Sequence, residues 1–355
     1  LRERLGVQMY KNARYLKHRR KPGANLFFRA ANLLDPGHHG AAREVGFLRP
    51  PIEGAARQMR FLAIGTTGTC NASCIHCPTG KEETSHVPRN TMSMELYRKL
   101  IDGIADHGIT FEHRVVFGLF GDGLVDPLVE ERARYFKSRL PDVGLGINTN
   151  GAAYGEKHKA LTELIDIVSL HCESLEPQTY NELMQPLRLN RVLPRFEMLL
   201  RDFPDKVHVS VPVSRRNIGE LENIRRWFTE RGTVNVQYDP MSNRCSKDQR
   251  IFDSLSLGPG PIRCEPEVMN DLIVDCDGLV LACCQDFSRI EPIGNLAEQS
   301  FSEMLSSIDR HRMREQLRRG EHDDIATCAR CRGDNRTPDF PYDQIPSDRA
   351  TVGVA

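Results

Sequence analysis

The stretch TGTCNASCIHCPTG, residues 67–80, decides how the rest of the chain is interpreted. It places Cys70, Cys74 and Cys77 within eight positions. It follows the apolar run FLAIGTT (61–67), which has the length and composition of a buried strand. Three thiols crowded onto one loop after a strand indicate metal or cluster chemistry rather than core packing.

Composition narrows the possible classes of protein. The 355 residues carry 48 basic and 48 acidic side chains, and this zero net charge favours neither nucleic acid nor a membrane surface. There is no apolar run of 18 residues and no signal-peptide pattern, so we expect a cytoplasmic protein without membrane or nucleic-acid partners. The odd count of eleven cysteines argues against a disulfide framework and for metal binding or thiol chemistry.

Short apolar runs alternate with helical patterns through the middle of the chain. Such an alternation predicts a parallel sheet, which crossovers of one hand would curl into a partial barrel. We therefore predict an α/β fold built on a partial (β/α)6 TIM-like barrel, with its site at the carboxyl ends of the strands. The runs lie at 61–67, 114–120, 143–149, 166–172, 206–213 and 233–239, and the helical patterns at 94–108 and near 128–139, 156–165, 190–202 and 217–230.

The segments on either side of this barrel have a different character. Residues 1–34 hold nine Lys or Arg against one acid, Glu3, with interleaved apolar residues that predict a basic helix, and DPGHHG (35–40) is typical of a linker. Short strands, a helix near 300–318 and Cys-rich loops predict a second, smaller domain. We predict a basic helical extension at 1–59, the barrel at 60–250, the second domain at 260–340 and a tail at 341–355.

The spacing Cys-x3-Cys-x2-Cys suits an iron–sulfur cube. Three thiolates can hold three irons of a [4Fe–4S] cluster and leave the fourth iron open to another ligand. A structural zinc site would need a fourth Cys or His nearby. His76 is a candidate, but it lies between two of the cysteines, where its side chain would point away from theirs. Zinc is therefore the weaker alternative.

The cysteine loop and three later segments resemble the radical S-adenosylmethionine (SAM) superfamily. Its pattern is Cys-x3-Cys-x-aromatic-Cys after the first barrel strand, and His76 takes the aromatic place here. GDGLVDP (121–127) is similar to the Gly-Glu-Pro segment after the second strand, with Asp122 in place of Glu. INTNG (147–151) and HCESLEPQTY (171–180) resemble the segments that end the third and fourth strands.

This resemblance implies a cofactor and a chemistry. SAM would bind the open iron of the cluster through its amino and carboxylate groups, and an electron donor such as flavodoxin or ferredoxin would reduce the cluster. Cleavage of SAM then yields a 5′-deoxyadenosyl radical that removes a hydrogen atom from the substrate. The residues implied to contact SAM are His76, Gly121, Asp122, Asn148 and His171.

A second set of cysteines follows the barrel. Cys264, Cys283, Cys328 and Cys331 could ligate a further [4Fe–4S] cluster, and zinc is the alternative because four thiolates suit it as well. With Gly278 they resemble the pattern Cys-x9–15-Gly-x4-Cys, a gap, then Cys-x2-Cys, which opens the SPASM domain. No cysteine follows Cys331, so the resemblance is to the shortened "twitch" form, which holds one auxiliary cluster.

Other candidate residues lie near the predicted strand ends. Glu173 could accept a hydroxyl proton, or it could be a polar residue of the barrel rim. Cys245, just past the sixth strand, could face the barrel mouth and give a hydrogen atom to a substrate radical. Burial as a small apolar side chain is the ordinary interpretation of every cysteine outside the two sets, which are Cys172, Cys245, Cys276 and Cys284.

The two cysteine sets together are similar to dehydrogenases and other carbohydrate-modifying radical SAM enzymes of aminoglycoside pathways. That resemblance implies oxidation of an alcohol carbon on a sugar or aminocyclitol in antibiotic biosynthesis, with the second cluster taking up the remaining electron. Redox-neutral epimerisation with a Cys hydrogen donor is the first alternative. Peptide maturation is another, although residues 1–60 show few of the strand patterns of a peptide-binding domain. A non-catalytic iron–sulfur scaffold is the last.

Overall fold

The computed structural model describes Leu5, Met9 and residues 22–34, 58–233 and 235–334, which belong to two compact units, 1–57 and 58–355. In the first unit, Leu5 and Met9 are helical and helix α1 spans Ala24–Leu34. The rest of the predicted basic helix, the predicted linker at 35–40 and the predicted tail at 341–355 lie outside the described residues.

Six parallel strands form the centre of the second unit. Strands β2 (Leu62–Ile64), β4 (Val115–Phe117), β5 (Leu145–Thr149), β6 (Ile167–His171), β7 (Val207–Val213) and β8 (Asn235–Pro240) pair in that order, each parallel to the next. This arrangement confirms the predicted α/β fold. The strands of the described residues are β1 (Gln58–Met59), β2 (Leu62–Ile64), β3 (Thr110–Phe111), β4 (Val115–Phe117), β5 (Leu145–Thr149), β6 (Ile167–His171), β7 (Val207–Val213), β8 (Asn235–Pro240), β9 (Pro259–Pro261), β10 (Leu272–Val274), β11 (Leu279–Leu281), β12 (Pro292–Asn295) and β13 (Arg332–Asp334).

Helices connect the parallel strands and cover the sheet. No helix in the described ranges is long and apolar enough to cross a membrane. The α-helices of the second unit are α2 (Met94–Asp106), α3 (Val129–Arg139), α4 (Pro177–Leu183), α5 (Leu189–Asp202), α6 (Leu221–Thr229), α7 (Arg250–Leu255), α8 (Phe301–Leu305), α9 (Ile308–Arg318) and α10 (Ala326–Arg330).

Two predicted helices differ from those observed. The segment Glu156–Glu163 is a 3-10 helix, and its two buried residues, His158 and Leu161, are three apart, which places both on one side of a three-residue turn. The predicted helix near 300–318 is split into α8 and α9. Ser307 caps α9 by accepting a hydrogen bond from the backbone N–H of Arg310 at 3.3 Å, so a new helix begins there.

The core lies between the helices and the sheet. Every residue of β2 and β4 is buried, as expected of parallel strands covered on both faces. Helix α2 begins at Ser93, whose hydroxyl accepts a hydrogen bond from the Leu96 N–H at 3.1 Å. The helix then buries Leu100, Ile101 and Ile104 on one face, at the spacing that the sequence predicts.

The segment after the barrel extends the same sheet. Strand β10 pairs in parallel with β2, and β11 and β12 continue the sheet antiparallel beyond it. The hairpin between β10 and β11 turns at Gly278, whose φ of 87° suits glycine. Gly65, which follows β2, leaves room for this hairpin, since a Cβ there would lie 2.4 Å from Asp275 Oδ1. The segment that follows the barrel is therefore packed directly beside β2, the first barrel strand.

A buried ion pair supports the loop that follows β4. Arg132 Nε on α3 lies 2.7 Å from Asp126 Oδ2, and both side chains are fully buried. The second oxygen of Asp126 accepts a hydrogen bond from the Leu128 N–H at 2.9 Å, and the Arg132 guanidinium also bonds to the carbonyl of Met92. The loop is therefore anchored to α3 by two charged groups that are paired with each other and hydrogen-bonded to the backbone.

We expect Asp126→Ala to destabilise the protein by about 3–5 kcal/mol, because it leaves the buried Arg132 guanidinium without its counter-charge. Glu130→Ala is the matched control, since the pair that Glu130 forms with Arg134 is exposed and should contribute no more than about 1 kcal/mol. Urea denaturation followed by circular dichroism measures both. Equal losses in the two variants would contradict the structural role of the Asp126 pair.

Candidate functional site

The three cysteines of the opening stretch lie around one cavity at the carboxyl ends of the parallel strands. Cys70, Cys74 and Cys77 all line this cavity, which has a volume of about 270 Å³. Their loop is held by its own turn, in which the Cys77 N–H donates to the Cys74 carbonyl at 3.0 Å, and by a 3.0 Å bond from the Ile75 N–H to the Leu183 carbonyl. The thiols are therefore presented to the cavity by a fixed backbone.

The loop after β4 touches the loop after β2 through its backbone. A Cβ added at Gly121 would lie 2.3 Å from the carbonyl oxygen of Thr67 and 2.5 Å from that of Thr69. The Asp122 N–H donates to the Thr69 carbonyl at 3.0 Å. Only glycine permits this close approach, which sets the position of Asp122 against the cysteine loop.

Asp122 is buried at the cavity wall, and neighbouring residues fill most of the hydrogen-bonding positions of its carboxylate. Its carboxylate accepts hydrogen bonds from the backbone N–H groups of Leu124 (2.9 Å) and Asn150 (2.7 Å) and from the Thr149 hydroxyl (2.9 Å). Burial raises the pKa of Asp122, and these bonds oppose that rise. A carboxylate offers about four acceptor positions, so one remains for a donor on a ligand.

Two histidines share one buried carboxylate beside this wall. His171 Nε2 lies 3.1 Å and His76 Nδ1 lies 3.5 Å from the same oxygen of Glu173. Burial lowers the pKa of His76 to about 3, so its imidazole is neutral near pH 7. Both histidines line the cavity, whereas Glu173 is fully buried behind them. Glu173 can therefore act on a bound molecule only through a histidine.

The structure brings the predicted SAM contacts together. Asn148 lies at the end of β5, where its side-chain amide donates to the Gly118 carbonyl at 2.9 Å. Arg244, which the sequence did not single out, also lines the cavity, and its guanidinium carbon lies 4.8 Å from the centre of the Phe287 ring. No motif marks this arginine. The predicted residues that line the cavity with the three cysteines are His76, Gly121, Asp122, Asn148 and His171.

Strand pairing brings together the segments of Cys264, Cys328 and Cys331 from the second set. Strands β9 and β13 pair antiparallel, and the Ile262 N–H donates to the Cys331 carbonyl at 3.3 Å, which brings the segment of Cys264 to that of Cys331. Cys328 is one turn away, since the Cys331 N–H donates to its carbonyl at 3.1 Å. Cys283 follows β11, and its sulfur accepts a hydrogen bond from a backbone N–H at 3.3 Å.

Two further thiols belong to this second group. The segment of Cys245 is joined to that of Cys331, because the Asn243 side-chain oxygen accepts the backbone N–H groups of Cys245 at 3.1 Å and of Arg332 at 2.9 Å, and Cys284 directly follows Cys283. The structure thus places Cys245 differently from the prediction of a barrel-mouth hydrogen donor. Cys245 has a left-handed backbone (φ 53°), is fully buried and is not among the residues that line the cavity. Cys284, in contrast, does line the cavity.

The separation of the sulfurs favours clusters over single ions. Among the described residues, neither cysteine group brings three sulfurs within 4.8 Å of one another. A tetrahedral zinc ion with bonds of about 2.3 Å would hold its thiolates about 3.8 Å apart. A [4Fe–4S] cube is larger and binds its thiolates at separate corners. Both cysteine groups therefore fit a cube better than a zinc ion.

The matches to known protein families agree with the presence of two cysteine groups. The family model of the radical SAM superfamily matches residues 64–228, and that of the iron–sulfur cluster-binding SPASM domain matches residues 264–332. The chain contains a radical SAM domain followed by a SPASM domain. Its cofactors are SAM and iron–sulfur clusters, as the resemblance of the sequence implies.

Solved structures of radical SAM enzymes share this fold. BtrN in complex with AdoMet and 2-DOIA is 19% identical, with 77% of this chain and 92% of BtrN covered and a TM-score of 0.54. anSMEcpe with bound AdoMet is 16% identical, with 81% of this chain and 91% of anSMEcpe covered and a TM-score of 0.54. Streptococcus suis SuiB bound to the precursor peptide SuiA is 11% identical, with 81% of this chain and 72% of SuiB covered and a TM-score of 0.52. No curated protein sequence matches the chain. At these identities the similarity shows the fold.

We expect Gly121→Ala to lower the iron content of this radical SAM protein by about half, because the new Cβ would displace the backbone that carries Cys70. Gly219→Ala is the matched control, since a Cβ at Gly219 meets no atom within 4 Å. Iron is measured after anaerobic reconstitution. Full iron in the Gly121 variant would show that this backbone contact does not fix the cysteine loop.

Proposed function

We propose that this radical SAM enzyme oxidises an alcohol carbon of a carbohydrate or aminocyclitol, as a dehydrogenase of natural-product biosynthesis. One observation carries the proposal: the cavity walled by the three loop cysteines is also walled by Cys284 and Gln285, the residues directly after Cys283. A substrate in this cavity would lie between the two cysteine groups. An alcohol in that position could lose a hydrogen atom on the side of the three loop cysteines and an electron on the side of the second cysteine set.

The cysteines divide between two clusters in this proposal. Cys70, Cys74 and Cys77 would hold a [4Fe–4S] cluster with one open iron, and the second set would hold a fully ligated cluster that has no position for SAM. With reduced cluster and SAM bound, the site supplies a 5′-deoxyadenosyl radical that removes a hydrogen atom from the substrate carbon. The second set is Cys264, Cys283, Cys328 and Cys331.

The protein's own side chains would position SAM and handle the remaining proton. Asp122 offers its free acceptor position to the SAM amino group, and Asn148, Gly121 and the two cavity histidines complete the cofactor wall. When the substrate has lost its hydrogen atom, a hydroxyl proton and one electron must still leave to give the ketone. His171 can accept the proton and relay it to Glu173, which lies 3.1 Å away. The second set of cysteines would hold the cluster that takes up this electron.

One of the solved structures supports a small-molecule substrate for this chain. BtrN has been crystallised with AdoMet and 2-DOIA, and it covers most of this chain with the same fold. SuiB, crystallised with a precursor peptide, has the fold as well. We favour the sugar or aminocyclitol because the sequence pattern of the second cysteine set resembles the twitch form. An electron donor such as flavodoxin or ferredoxin would reduce the SAM cluster.

Epimerisation of a sugar carbon is the second candidate, and one observation favours it. Cys284 belongs to neither proposed ligand set, yet it lines the cavity. A thiol in that position could return a hydrogen atom to a substrate radical, which would leave the substrate redox-neutral. Cys245, the donor predicted from the sequence, does not reach the cavity, so Cys284 replaces it in this alternative.

Turnover in deuterated water separates the two reactions. The reduced enzyme is incubated with SAM and with 2-DOIA or glucosamine as probe substrates, and the products are analysed by mass spectrometry. We expect a ketone and one deoxyadenosine per turnover, without deuterium at the attacked carbon. An unoxidised product carrying one solvent deuterium, lost in Cys284→Ala, would instead establish epimerisation. Deoxyadenosine with neither product would argue against both.

Iron counting tests the two-cluster assignment. We expect about eight irons per reconstituted chain and about four in Cys264→Ala, because loss of one thiolate ligand opens the second cube. Cys276→Ala is the matched control, since this buried thiol bonds to Asn90 Oδ1 at 3.3 Å, outside both ligand sets. Zinc in place of iron, or an unchanged iron count in the Cys264 variant, would contradict the assignment.

A further inference from the structure

One loop of the segment after the barrel forms part of the cavity wall. Cys284, Gln285 and Phe287, which follow β11, line the same cavity as the three loop cysteines. The backbone of this loop is tied to the second cysteine set, because the Gln285 N–H donates a hydrogen bond to Cys283 Sγ at 3.3 Å. Gln285 therefore lies between the second cysteine set and the space that a substrate would occupy.

The side-chain amide of Gln285 is the strongest hydrogen-bonding group that this loop brings to the cavity. Phe287 has no polar side-chain atom, and the thiol of Cys284 is both a weak donor and a weak acceptor. An amide, in contrast, has an acceptor oxygen and two N–H donors. Gln285 is only partly buried, so a ligand that touches this wall can reach its amide.

A serine on a neighbouring segment sets the direction of the amide. The Ser242 hydroxyl donates a hydrogen bond to Gln285 Oε1 at 2.7 Å. Ser242 is itself held in place, because its backbone forms an antiparallel bridge with Gly333 of β13. The other end of the amide, Nε2, lies 3.9 Å from Sγ of the cavity-lining Cys284. The oxygen therefore faces Ser242, and the nitrogen faces the cavity side.

Gln285 Nε2 has an N–H to spare for a ligand. Among the described residues, the acceptor within reach of Nε2 is the sulfur of Cys284, and sulfur accepts hydrogen bonds weakly. A donor that is turned away from water is stabilised when an acceptor is brought to it. This wall therefore favours a molecule that presents an oxygen to Gln285, and it disfavours one that presents only C–H groups.

An alcohol oxygen fits this donor throughout an oxidation. As a hydroxyl it accepts through its lone pairs while its proton points elsewhere, and as a ketone it is an acceptor only. The bond to Nε2 is therefore made in the substrate and kept in the product. Such a bond strengthens binding without favouring one stage of the reaction, so its loss should raise KM more than it lowers kcat.

We propose that Gln285 is a specificity-determining residue that donates an N–H of Nε2 to the oxygen of the alcohol that is oxidised, and that Ser242 is the positioning residue that orients this amide. The inference rests on the proposed function and deepens it, because it assigns recognition of the reacting alcohol to the segment after the barrel. A substrate carbon without an oxygen would leave the donor unpaired and bind less well.

Three variants of the full-length chain test these roles. Gln285→Met keeps a side chain of similar length but removes both N–H donors, and Ser242→Ala removes the bond that orients the amide. Gln178→Met is the matched control, since Gln178 is exposed on α4. Each protein is reconstituted anaerobically and its iron is counted. Ketone formation is then followed at varied concentrations of 2-DOIA and of glucosamine as probe substrates.

We expect full iron in all three variants. In Gln285→Met the KM should rise about tenfold, the effect of losing one good hydrogen bond, with a far smaller change in kcat. Ser242→Ala should raise KM by a smaller factor, and Gln178→Met should match the parent. An unchanged KM in Gln285→Met overturns the inference, and so does loss of iron in that variant, which would make its role structural. A parent protein that oxidises neither probe overturns the proposed function itself.

Discussion

The backbone contact between the loops after β2 and β4 is the constraint on which the site depends. Because Gly121 has no side chain, its backbone can pack against the carbonyls of Thr67 and Thr69. That approach places Asp122 beside the cysteine loop and lets its carboxylate bond to the end of β5. Three strand ends are thus locked to one another before any cofactor binds, which is the preorganisation that a reactive radical requires.

The site also has to keep several charges away from water. The half-buried guanidinium of Arg244 interacts electrostatically with Glu173 and with the thiols of Cys74 and Cys77. Buried charges persist in proteins when they are paired. Arg244 therefore helps to make the anionic site stable.

The sequence was sufficient to predict the barrel and the cysteine loop, because alternating apolar runs and cysteine spacing are local patterns. It was insufficient where geometry depends on one turn. The pattern around Cys245 predicts a residue after the sixth strand, but it does not reveal a left-handed backbone (φ 53°) or a fully buried thiol outside the cavity lining. Glu173 likewise reads as a rim residue, whereas packing buries it behind His171. Arg244 depends on contacts between distant segments, and the Asp126–Arg132 pair, although its members are six residues apart, follows no recognisable sequence pattern.

The central claim is that the three thiols of the opening stretch hold an iron–sulfur cube whose open corner binds SAM. The most direct measurement is the EPR spectrum of the anaerobically reduced protein before and after addition of SAM. The account predicts that SAM changes the signal of one cluster, and that this change is absent when Cys74 is replaced by Ala. A spectrum indifferent to SAM in the intact protein would contradict it.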